Sequence, residues 1–141
     1  MQTTVAPTIR DLRSTDAASL AALAQLLGSA ETVDQWRQRL RGANVAIGAE
    51  QDGRLLGYAT GAVRTSFGLE PAGWVESFGV ANAWRGRGLG RTLAAELFTR
   101  FRELGATHAY TLVAVHDRAL APFFRDVGFR EEPLACLGTS V

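Results

Sequence analysis

Val80-Ala81-Asn82-Ala83-Trp84-Arg85-Gly86-Arg87-Gly88-Leu89-Gly90-Arg91 is the stretch on which the reading of this chain turns. Residues 74–80 before it are mostly apolar and read as a strand. After it, Leu89, Leu93, Leu97, Phe101 and Leu104 recur at helical spacing until Gly105. A glycine-rich turn thus joins a strand to a helix. The first turn of a helix leaves several N–H groups unpaired, and they carry a partial positive charge. Phosphate is a natural partner for them. Glycines at 86, 88 and 90 let such a group approach the backbone, and Arg85, Arg87 and Arg91 add forked donors. The competing reading is a plain turn whose arginines are solvated. Strand before, helix after and interleaved arginines favour the anion site. No Gly-Lys-Ser/Thr follows, so this is not a Walker A loop. The glycines are also mis-spaced for Gly-x-Gly-x-x-Gly.

Working outward, residues 8–13 read as a short strand. Asp16 is a candidate N-cap for a helix carrying Leu20, Leu23, Ala24 and Leu27 and ending at Gly28. Thr32 and Gln35 form a candidate capping box for a second helix, with Val33, Trp36 and Leu40 on one face and Gly42 at its end. Residues 45–50 and 55–63 read as strands joined at Asp52-Gly53, a hairpin signal. Residues 65–73 read as a loop. Residues 109–115 form a continuous apolar run, expected to be a strand buried on both faces. A short helix follows around residues 120–127, stopped by Gly128, and Phe129 is expected to open a last strand. The order β-α-α-β-β-β-α-β-α-β predicts an α/β fold: a mixed, mostly antiparallel sheet with helices on both faces, one domain over residues 1–141.

Composition fits that picture. The chain has 141 residues, 47% hydrophobic and 21% charged, so a core can form without disulfides. The lone Cys136 makes no internal pair, has no Cys/His spacing, and is expected to serve packing. With residues 1–10 lacking a signal-peptide pattern, it points to a cytoplasmic protein. No run of about 20 apolar residues predicts a membrane span. The net charge of +1 argues against a nucleic-acid partner. No cluster has metal-ligand spacing.

Arg85-x-x-Gly88-x-Gly90 resembles the Arg/Gln-x-x-Gly-x-Gly/Ala signature of the GNAT N-acetyltransferase family. The element order and the Gly128-Phe129 pair, similar to the Gly-Phe closing that family's later motif, extend the resemblance over nearly the whole chain. It implies an N-acetyltransferase that uses acetyl-CoA as cosubstrate and acetylates an amine acceptor, as a monomer or homodimer. The segment Arg85, Gly86, Arg87, Gly88, Leu89, Gly90 and Arg91 would bind the pyrophosphate. Phe78, Gly79 and Val80 would pair through their backbone with the pantetheine arm. Asp117 falls where the family commonly has Asn. Phe124 falls where it has the Tyr thought to protonate the leaving thiolate, and a phenyl ring has no proton to give. Packing against the thiol end is the role left to it. A catalytically silent acyl-CoA-binding module is therefore the alternative function. A dimerisation unit whose arginines meet an acidic partner is a third.

Glu76 is the only carboxylate in the strand 74–80. If that strand is regular, Glu76, Phe78 and Val80 share a face. Gly79 signals a bulge or a close backbone approach, with simple relief of crowding as the alternative. An attacking ammonium must lose a proton, so Glu76 is the candidate general base. Exposed strand-end Glu, or a partner for an arginine, is the alternative. His116 is a second candidate for proton exchange, with a structural or exposed role as its alternative. His108, Tyr58 and Tyr110 suit packing. Asp117 also suits an N-cap. Residues 29–42 and 65–73 should flank the acceptor, with Trp36, Phe67, Glu70 and Trp74 as possible contacts. Trp36 is equally explained as core.

Overall fold

The computed structural model describes residues 6–141. The part of the N-terminal expectation that concerns residues 1–5 lies outside the described residues. The elements are β1 (Thr8–Asp11), α1 (Ala17–Leu26), α2 (Val33–Gly42), β2 (Val45–Gln51), β3 (Arg54–Arg64), β4 (Ala72–Val80), α3 (Leu89–Glu103), β5 (His108–Thr111) and α4 (Leu120–Asp126). Single 3-10 turns, Ser14–Asp16 and Asn82–Trp84, precede α1 and the glycine loop. The five strands lie in sequence order, β1-β2-β3-β4-β5. The first three pairings are antiparallel and the β4–β5 pairing is parallel. Asp52, at a φ of 53°, and Gly53, at 77°, form the left-handed turn of the β2–β3 hairpin.

The sheet separates two cores. On one face α3 buries Leu89, Leu93, Leu97 and Phe101 against Ile47, Ala59 and Val75. On the other, α1 and α2 bury Leu20, Ala24 and Trp36 with Tyr58. Gly73 permits the α3 contact: a Cβ there would stand 2.1 Å from the Phe101 ring. The capping box of α2 forms, with Thr32 accepting from the Gln35 amide and Gln35 from the Thr32 amide. Asp16 precedes α1 without capping it through its side chain. Its carboxylate instead accepts from the Arg13 amide at 2.8 Å and binds Arg10 at 2.9 and 3.0 Å. These bonds hold the Asp16 carboxyl below its usual range, the Arg10 contact contributing most.

Three expectations need correction. No strand forms at Phe129; among the described residues the sheet ends with β5, and residues 130–141 are exposed coil. Arg130-Glu131-Glu132-Pro133 supplies charge where a strand wants alternation, and a proline without an N–H. In consequence β5 is an edge strand of four residues rather than a buried run over 109–115. Leu112 is 72% exposed and Val115 89%. Cys136 is exposed as well, not packed.

Candidate active site

β4 and β5 are paired only from Ala72 with His108 to Val75 with Thr111. Beyond Val75 the strands part, and residues 76–80 of β4 have a free edge. That edge leads through the 3-10 turn into the glycine loop. Gly86, with φ 77°, and Gly88, with φ 83°, are both left-handed and exposed, and a Cβ on either would meet nothing within 4 Å. Gly88 is the N-cap of α3, so the free amides of the first turn open onto solvent beside it. Gly90 is small for a different reason: a Cβ there would stand 3.0 Å from the Phe123 ring. The Arg87 guanidinium lies 4.9 Å over the Trp84 ring. Arg91 reaches the Asp126 carbonyl at 3.4 Å, and Arg85 and Arg87 are exposed. Positive dipole, small residues and cationic side chains meet at one exposed end of α3. Such an end suits a diphosphate.

Glu76 is placed by an irregularity. The β3–β4 register shifts between Thr60, opposite Ser77, and Gly61, opposite Val75, so Glu76 is the extra residue of a β-bulge. The expected shared face does not exist. Phe78 and Val80 pack in the α3 core, while the Glu76 carboxylate turns to Arg64, 3.8 Å away. That pair is half-exposed and weak. The bulge expected at Gly79 thus falls three residues earlier. Gly79 itself marks a close approach: a Cβ there would stand 2.7 Å from both Cζ and Oη of Tyr58.

The other candidates spread unevenly around this edge. The Asp117 carboxylate accepts from the Ala119 and Leu120 amides at 2.9 and 2.7 Å, but it stands two residues before Ala119, which is the N-cap of α4 in place of the expected Asp117. Phe124, 4% exposed, packs edge-on to Phe78 and Phe129. Phe123, adjacent to it, stacks on Phe78 at 4.9 Å and covers Gly90. Consecutive helix residues point about 100° apart, so only one of the pair can be the deep one. The sequence reading chose Phe124 and missed Phe123. His116 is exposed. Trp36 is core, 1% exposed, with Tyr58 edge-on at 5.2 Å. Phe67, Trp74, Tyr110 and His108 form a run of aromatic contacts, with Phe67 left-handed at φ 58° and 80% exposed. An open groove of about 1420 Å³ follows the outer edge of β5, lined by Trp74, Tyr110, Leu112, Phe129 and Leu137. None of residues 85–91 lines it. Among the described residues no cluster of His, Cys, Asp and Glu is arranged to hold a metal ion. No helix there is long and apolar enough to cross a membrane.

A sheet split beyond β4 and an exposed, arginine-rich start of the next helix together leave room for an extended, phosphate-bearing ligand beside β4. Comparison with known proteins names the family. The family model for GNAT acetyltransferases matches residues 11–129. An aminoglycoside N(6')-acetyltransferase type 1 of Stenotrophomonas maltophilia is 31% identical over 134 residues, covering 89% of this chain and 88% of that one. Among solved structures, aminoglycoside N-acetyltransferase AAC(6')-Iy in complex with CoA superposes with a TM-score of 0.85 at 17% identity, covering 99% of each chain. A ribosomal-protein-alanine N-acetyltransferase of Brucella melitensis gives 0.80 at 20% identity, covering 96% of this chain and 100% of that one. This chain belongs to the GNAT acetyltransferase family and is an N-acetyltransferase.

Proposed function

We propose that the enzyme transfers the acetyl group of acetyl-CoA to a primary amine of an amino sugar, by direct attack within a ternary complex. The observation that carries the acetyl-CoA reading is the cradle of Gly86, Gly88 and three arginines at the start of α3. The amino-sugar reading is supported by the relative of 31% identity, an aminoglycoside N(6')-acetyltransferase.

In this reading Gly86, Gly88, Leu89 and Gly90 present backbone to the diphosphate, and Arg85, Arg87 and Arg91 neutralise it. The free edge of Phe78, Gly79 and Val80 pairs with the pantetheine arm as an added strand. Backbone N–H groups of the same edge polarise the thioester carbonyl. The attacking amine reaches the carbonyl carbon, the C–S bond breaks, and the electron pair leaves on sulfur. Glu76, lifted out of register by its bulge, takes the ammonium proton directly or through water. His116, exposed beyond β5, is the second candidate for that proton. Asp117 fixes the start of α4, and Phe124 supports Phe78 from beneath. Holding amine and thioester together supplies much of the rate.

The test is product mapping. An aminoglycoside bearing a 6'-amine and its 6'-hydroxyl counterpart are each incubated with acetyl-CoA, and the products are fragmented by mass spectrometry. Acetylation of the first and not the second supports the reading. Equal acetylation of both places the reacting amine elsewhere. Phe124, without a hydroxyl, supplies no proton to the leaving thiolate. CoA binding with no transfer to any of a broad panel of amines would overturn the reading in favour of a silent acyl-CoA-binding module.

A further inference from the structure

Tyr58 sits on β3 directly opposite Gly79 of β4. Its ring does not stand up from the sheet but lies across β4. Its Cε1, Cζ and Oη all come within 2.8 Å of where a Gly79 Cβ would be. Adjacent strands are about 4.8 Å apart, and a tyrosine hydroxyl lies roughly 6.5 Å from its own Cα by standard bond lengths. The phenol tip therefore lies over Gly79 on the α1–α2 face of the sheet, above the backbone assigned above to the pantetheine arm.

Three features hold it there. Trp36 packs edge-on, 5.2 Å between ring centres. The loop before α2 is clamped over the same region by Glu31 and Arg39, joined at 2.6 Å, with the Arg39 guanidinium 5.2 Å over Trp36. Gly79 leaves the ring its space. The residue is 5% exposed, yet among the described residues the hydroxyl has no hydrogen-bond partner. Nor is it among the fully buried unpaired atoms, where only the Trp36 Nε1 stands, so it keeps contact with solvent. Burial, followed by the nearby Glu31 charge, raises the phenol above its usual pKa. It is a neutral donor throughout the physiological range.

We infer that Tyr58 is a catalytic residue: its hydroxyl donates a hydrogen bond to the thioester sulfur as charge collects there. It thereby stabilises the thiolate by hydrogen bonding, which the Phe124 ring cannot do. This rests on the acetyl-CoA reading above. The amine nitrogen forms its bond to the carbonyl carbon, the C–S bond breaks, and its electron pair stays on sulfur. The Tyr58 proton remains on the phenol, because a tyrosine is a weaker acid than a thiol. The thiolate takes its proton from water, and the ammonium proton leaves through Glu76 or water. A donor already aimed at developing charge typically contributes 10²–10³ in rate.

Tyr58→Phe keeps the ring over Gly79 and against Trp36, so the fold is retained. Three quantities are measured for wild type and variant: CoA affinity by calorimetry, kcat at saturating substrates, and the thiol pKa of bound CoA by its ultraviolet thiolate absorbance. The expected result is unchanged CoA affinity, a kcat lower by about 10²-fold, and a bound thiol whose pKa is higher in the variant than in the wild type. An unchanged kcat together with an unchanged bound-thiol pKa overturns the assignment. Failure of wild-type protein to bind CoA would instead overturn the reading of the glycine loop, a separate and distinguishable outcome.

Discussion

Replacing Gly88 by valine separates backbone strain from ligand binding. Gly88 has φ 83°, and its Cβ position is empty to 4 Å. The substitution therefore creates no clash. It forces a β-branched residue into the left-handed region, which costs about 1–2 kcal/mol of stability. A domain with ordinary stability of about 5–15 kcal/mol survives that. The ligand should not fare so well. Relaxing the strain rotates the Gly88–Leu89 peptide, which begins α3, and an isopropyl group then stands where phosphate oxygens approach. Loss of one charge-assisted hydrogen bond, about 1.5–3 kcal/mol, raises the CoA Kd by about tenfold to 150-fold. Gly105 is the matched control. Its φ is 93° and its Cβ position is equally empty, but it lies at the other end of α3. Gly105→Val should lower the melting temperature by a similar amount and leave CoA affinity untouched. Calorimetry and thermal denaturation on both variants decide the matter. Equal CoA affinity in folded Gly88→Val, or an equal loss in both variants, would refute the reasoning.

Other outcomes follow from the same geometry. Glu76→Gln should reduce the rate near neutral pH by about 10²–10⁴, with partial recovery at high pH where free amine is abundant; an unchanged pH–rate profile would make Glu76 structural. Phe124→Leu should cost about 1–2 kcal/mol in denaturant titrations, because the ring is 4% exposed in the core, and change CoA affinity only modestly; a rate loss of several thousandfold at unchanged affinity would show that α4 has been misread. Asp16→Asn should remove about 1–2 kcal/mol at pH 7. Arg10 holds the folded Asp16 carboxyl below 3.8, so in the wild type this contribution is complete above that pH and fades as pH falls through the folded value. Denaturant titrations from pH 7 to pH 3 should show the two proteins converging at the acid end.

Much of this was legible in the chain itself, wherever one local signal acted alone. Asp52-Gly53 gave the hairpin, Thr32 and Gln35 the start of α2, and Gly105 and Gly128 the ends of α3 and α4. The family was recognisable because its signature, Arg85-x-x-Gly88-x-Gly90, lies within one short stretch. The failures involve relations between distant residues. The bulge at Glu76 is set by the register of β3 against β4, and no residue type near Glu76 announces it. Tyr58 packs as expected, but its contact with Gly79, 21 positions along the chain, is not visible from either residue alone. Phe123 did not stand out because only the seating of α4 turns its ring onto Phe78 and Gly90. The run at 109–115 looked buried because apolar content does not reveal whether an outer strand will pair with it.

The measurement that bears most directly on the central claim is a stopped-time assay with acetyl-CoA and a panel of amino sugars and simpler primary amines. Released CoA thiol is quantified with a chromogenic disulfide, and the product mixture is weighed by mass spectrometry. Thiol release should be matched mole for mole by an N-acetylated amine. Both signals should be strongly reduced in Gly88→Val and intact in Gly105→Val. Thiol release without any acetylated amine, or tight CoA binding with no release against every acceptor, would contradict it.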